Sequence, residues 1–235
     1  MIKDNKFEMV WTLFAIILAS VSPLSLTASA TGIRPLSWFG THAILPAVIL
    51  WLFIALLAKK RHWSDLTNAV KLSIIFGIIG TVAMEIVRSI GFRYFHGMPG
   101  SLPMLIGVQL TDQFMNGPNW WSNFIGFSDH FWNGISFTFI YIALFGRGKL
   151  WLAILYVFGV ATVFMVSPMM NVLGVGMFGH QFAPIRFPLT VYAAHLAWGL
   201  TFGLLLMKTK ITPEKPLFSV FNVFIHQKIK GDRDE

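Results

Sequence analysis

Apolar residues along this chain fall in runs long enough to cross a bilayer, separated by short polar connections. Six such runs are read at 9–31, 41–58, 67–91, 127–146, 150–174 and 188–207. Each approaches the roughly 20 residues that a helix needs to traverse the hydrocarbon layer. None shows the short alternating pattern of a barrel strand. The pattern therefore predicts an all-α protein, a polytopic transmembrane helix bundle of about six spans.

The connections divide the chain into three parts. Residues 1–66 hold two N-terminal transmembrane helices, 67–207 a four-helix core with an external loop at 92–125, and 208–235 a cytoplasmic tail. The first run has two readings. Lys3, Lys6, an apolar middle and Ala28-Ser29-Ala30 fit a cleavable signal peptide, whereas Asp4, Glu8 and the apolar residues beyond Pro23 fit a retained anchor. In the external loop, Leu102–Leu110 is apolar enough to lie on the membrane surface or to dip into it, and Trp120-Trp121 suits an interfacial belt or a grip on another protein subunit. Pro168 predicts a kink in the fifth helix. In the tail, Leu217, Phe218, Phe221, Phe224 and Ile225 recur at helical spacing before Lys228 and Lys230, which predicts an amphipathic helix on the cytoplasmic leaflet.

Charge gives these spans a direction. Only 12% of the 235 residues are charged, about half the soluble norm, so the net charge of +8 needs a topological explanation before a nucleic-acid one. Fourteen of the 18 basic residues fall in the tail or in connections on one side, leaving Arg34, Arg88, Arg93 and Arg186 for the other. Positive-inside then puts both termini in the cytoplasm if the first span is retained. Cysteine is absent, which excludes disulfides, thiolate ligands and iron–sulfur clusters.

Spans three and four match spans five and six in order. Phe76-Gly77 corresponds to Phe158-Gly159, Met84 to Met165, and Gly97-Met98-Pro99-Gly100 to Gly176-Met177-Phe178-Gly179. His130, Gly134, Ser136 and Phe137 correspond to His195, Gly199, Thr201 and Phe202. Both pairs run in the same sense, so the expected duplication is parallel, about an axis along the membrane normal.

Five of the seven histidines lie on the external side: His42, His96, His130, His180 and His195. A histidine at membrane depth is costly unless something binds it. His130 and His195 are the candidate principal ligands of haem b or copper, each with a glycine four residues on that lets a helix or flat cofactor approach. His42, His96 and His180 are candidate additional ligands, and Met98 and Met177 are candidate thioether ligands for copper. Glu85, the one carboxylate well inside a predicted span, is the catalytic candidate, as proton handler or ligand. Each has a plainer reading: a histidine bonded to a backbone carbonyl, a Glu85–Arg88 ion pair, methionine as core filler. Asp129 reads as the N-cap of the fourth helix. No phosphate loop, His-Glu-x-x-His or Gly-x-Ser-x-Gly motif occurs, and the helices lack the spread of polar residues expected along a substrate path.

Over roughly residues 70–207, the helix pairs with His-x-x-x-Gly and the Gly-Met-x-Gly turns resemble small bacterial inner-membrane proteins of uncharacterised function. That resemblance implies a fold and a location in the bacterial cytoplasmic membrane, without an activity. The residues favour a redox or metal-binding subunit of a multi-subunit complex with haem or copper near the external face: a haem would pass electrons between a quinone and an external partner, whereas copper would serve oxidation chemistry or metal delivery. The alternatives are a cofactor-free transporter or channel using Glu85 and the Pro168 kink, and a non-catalytic scaffold gripping its partner through Trp120 and Trp121.

Overall fold

A computed structural model describes residues 2–213 together with 216 and 217, and side chains from residue 7 onward. The described residues form helices and connections, with no strand among them. The amphipathic helix expected in the tail falls, past Leu217, outside the described residues.

In chain order, α1 (Ile2–Ala19) and α2 (Val21–Ala30) make one nearly continuous rod. A short α3 (Leu36–Phe39) leads through a π-turn at Gly40–Ile44 into α4 (Leu45–Lys60). Next comes α5 (Ser64–Arg93), whose N-terminus has no cap from its own flank. Glu8, 58 residues earlier on α1, supplies it instead: its Oε1 accepts from the Leu66 N–H at 2.9 Å. A carboxylate there also meets the positive end of the helix dipole.

Inside the predicted external loop, α6 (Leu102–Leu110) forms as a nine-residue helix. It lies on α7 (Trp120–Phe145) where Gly107 and Gly126 let the backbones nearly touch; a Cβ on either would collide with Ser122 O or Pro103 O. The sequence places the start of this fourth span at 127, but the helix begins at Trp120. Asn119 and Ser122 form a capping box that starts it early, the Ser122 N–H donating to Asn119 Oδ1 at 2.9 Å. Trp120 and Trp121 thus belong to its first turn.

The predicted fifth span is broken rather than kinked. α8 (Leu150–Val166) stops at Ser167, which is extended (φ −71°, ψ 156°) as a residue before proline tends to be. A single turn, α9 (Met169–Val172), follows Pro168, and the chain returns as α10 (Arg186–Lys208).

Among the described residues, four segments are long and apolar enough to cross a membrane: Phe7–Ala30, Leu36–Lys60, Ser64–Arg93 and Arg186–Lys208. The other two expected spans fall short for opposite reasons. α8 is very apolar but only 17 residues long, whereas α7 has 26 residues but carries polar groups along much of its length. The outward faces are apolar, with Ile17, Leu56, Ile86, Val163 and Leu189 all more than half exposed, as contact with lipid requires.

The α5 helix is the hub, packed against α4, α7 and α10, with α8 packed on α10 and touching α7 through Tyr156. Small residues set the crossings. Gly80 of α5 lies against Trp198 of α10, Gly91 and Gly97 lie against Thr190, and Gly77 lies so close to α7 that a Cβ would come within 2.7 Å of Ile135 Cα.

The glycines of the two His-x-x-x-Gly segments both seat their helix on its hairpin partner, though not in the expected register. Gly134 meets Thr81 of α5, whereas Gly199 meets Ala153 and Val157 of α8, not residues near 159–163. Gly159, matched with Gly77 in sequence, faces open space. The two Gly-Met-x-Gly turns differ as well. Gly176 and Gly179 adopt left-handed φ values of 66° and 72°, and neither Gly97 nor Gly100 does.

Candidate functional site

The polar centre of the bundle lies between the last three turns of α5 and the middle of α7. Glu85 and Arg88 are three residues apart on α5 and so share a face. Their contact is bidentate: Arg88 Nε donates to Glu85 Oε1 at 2.8 Å, and Nη2 to Oε2. Arg88 is only 9% exposed, so the pair is mostly buried, bordering a groove on the outer surface of the bundle. From α7, His130 Nε2 comes 2.7 Å from Glu85 Oε1. The ring N–H does not point along that line, so the contact is a close electrostatic approach rather than an aligned hydrogen bond. One carboxylate thus faces a guanidinium and an imidazole.

Asp129 adjoins this group and does not cap α7; Asn119 does that. Its Oδ1 accepts from Ser22 Oγ of α2 at 2.7 Å, and its Oδ2 from Asn133 Nδ2 at 3.0 Å. Ser22 lies 107 residues away in sequence, within the stretch that also reads as a signal peptide. Nothing local to Ser22 signals this bond. The Asn133 bond was legible, since Asp129 and Asn133 are four apart on one helix face.

Further along α7 there are more polar residues, on two different faces of the helix. Asp129, Asn133 and Ser136 fall on one stripe, and His130, Thr138 and Tyr141 on a second, about a third of a turn round the helix, on the side where Gly134 meets Thr81 of α5. Elsewhere in these helices, hydroxyls turn back to their own backbone: Thr12, Ser20, Thr162 and Thr201 each bond the carbonyl four residues earlier. Ser136 Oγ, Thr138 Oγ1 and Thr81 Oγ1 do not. They are buried without a protein partner, as are Asn133 Oδ1, Trp51 Nε1 and Trp198 Nε1. A buried polar atom left bare costs about 1–3 kcal/mol, and ordered water is the usual remedy.

The remaining sequence candidates are scattered. His195 Nδ1 donates to Val191 O of its own helix at 2.8 Å. His42 stacks on Trp38 at 4.7 Å between ring centroids and bonds Trp38 O at 3.0 Å. His96 is exposed at a left-handed φ of 48°. His180 is exposed and bonds Met177 O at 3.0 Å, and Met177 is 56% exposed. Met98 is buried in a second small core with Met165, Met169, Met170 and Phe187, which is methionine as filler rather than as thioether ligand. Among the described residues, no three His, Asp or Glu side chains gather closely enough to hold a metal ion.

No family model, curated protein or solved structure matches this chain.

Proposed function

We propose that this chain is a multi-pass membrane protein that conducts protons, with Glu85, Arg88 and His130 as the proton-handling centre and the α5-facing side of α7 as a hydrated path. One observation carries the reading: the hydroxyls of Thr81 and Thr138, buried and unpartnered, lie on the side of the α5–α7 contact that also carries His130, with Thr81 seated against Gly134. A merely structural helix interface has no use for them, since their hydroxyls could bond their own backbone as others here do. In a bilayer such groups require water, and a file of water is a proton path.

On this reading α7 and α8 also cross the membrane, giving six crossings with the basic connections inside. The polar residues of α7 are tolerable because they face protein and water rather than lipid. Glu85 receives a proton through the file. Neutralising it removes the charge that holds Arg88 and His130, so each transfer loosens the centre and re-ionisation restores it. His130 lies within reach to pass the proton on.

The test is potential-driven proton uptake in sealed proteoliposomes containing a trapped pH-sensitive dye. Wild-type protein should acidify the interior, and Glu85→Gln should abolish the signal. No flux from correctly inserted wild type, or equal flux from Glu85→Gln, would sink the proposal.

A second reading, a haem or copper subunit, keeps one supporting observation. The His195 Nδ1 bond to Val191 O leaves Nε2 available, the tautomer seen in metal-bound histidines. His130 would have to leave Glu85 to join it. Visible absorption and stoichiometric metal in purified protein, both lost in His195→Ala, would establish that reading.

A further inference from the structure

On the outward side of the same region, a groove of about 600 Å³ opens between the end of α5 and the first half of α7. Four of its α5 residues follow helical spacing along one face: Val82, Ile86, Ser89 and Arg93. The face therefore grades from apolar, deep in the span, to hydroxyl and then guanidinium at its end. Phe127 and Phe131 of α7 form the opposite wall. Ile86 is 57% exposed and Val82 43%, so the groove faces out of the bundle rather than into the core. Glu85 already holds Arg88, whereas Arg93 is exposed and has no carboxylate partner among the described residues.

We infer that this groove binds one anionic phospholipid, its phosphate at Arg93 and Ser89 and an acyl chain against Val82, Ile86, Phe127 and Phe131. The charge selects the occupant, because a zwitterionic lipid would bring its own cation to an unpaired guanidinium. The apolar length below Arg93 excludes a free anion as the best fit, since it would leave the groove empty. Glu85 and Arg88 also line the groove, so it borders the ionic centre, but lipid retention is read without proton flux and stands whether or not protons move.

Native mass spectrometry of the full chain in mild detergent reads the site directly, with phosphatidylglycerol, phosphatidylcholine or inorganic phosphate added. Phosphatidylglycerol should be retained in preference to phosphatidylcholine. Arg93→Gln should weaken its retention about fivefold, the usual worth of one basic residue at an anionic lipid surface. Arg93→Lys should largely restore it. Ser89→Trp, which fills the groove and leaves Arg93 in place, should weaken retention too. Both positions are exposed, so the variants should fold, with unchanged helicity as the control. Equal retention of the two lipids, unchanged retention in either weakening variant, or full competition by inorganic phosphate would overturn the inference.

Discussion

Glu85 decides what happens at the residue scale, because its carboxylate contacts both Arg88 and His130. Glu85→Ala would strand a buried guanidinium and should cost about 3–5 kcal/mol, read as loss of unfolding free energy in detergent. Replacing both partners, Glu85→Met with Arg88→Met, should cost far less, since no uncompensated charge remains. If the double variant is as unstable as the single one, the pair is not the unit described. Ser22→Ala leaves Asp129 short of one donor and should cost about 1–3 kcal/mol by the same measurement. The identities at this centre were legible in the sequence: an ionisable residue inside an apolar run announces itself, and the three-residue spacing gives the Glu85–Arg88 pair. The partnership with His130 was not, nor was the Ser22–Asp129 bond. Both depend on how far each helix is rotated about its axis, which hydrophobic runs alone do not fix.

At the scale of elements, apolar length located the helices well and their ends less well. α5 and α10 begin and end within a few residues of the runs that predict them. α7 starts early because Asn119 and Ser122 cap it, and α8 stops early because Pro168 forces Ser167 out of helical geometry. Polar groups on α7 were visible one by one, but their division between two separate faces of the helix becomes apparent only once the full helix is counted. The glycines test the packing. Gly134→Ala places a methyl against Thr81 and should destabilise by about 1–3 kcal/mol. Gly159→Ala meets nothing and should be neutral or stabilise by up to about 1 kcal/mol from helix propensity. Equal effects at these two positions would show that the α5–α7 contact is looser than described.

At the scale of the whole molecule, the arrangement is a set of antiparallel helices around α5 with an apolar outside and a polar seam inside. Because the chain has no cysteine, single cysteines report sidedness without background. Met115→Cys, at a position 97% exposed beyond α6, should react with an impermeant reagent from one side of the membrane. His62→Cys, in the exposed turn before α5, should react only from the other. Labelling of both from one side would mean that α5 does not cross. If the α5-facing side of α7 is wet, Thr138→Cys should react with a small, charged thiol reagent in intact membranes. Thr138 is buried with its hydroxyl unpartnered, and Val163→Cys on the apolar face of α8 serves as the lipid-facing control. Thr138→Cys should react and Val163→Cys should not. If Thr138→Cys is as inert as the control while the protein remains folded, that side is dry and α7 conducts nothing.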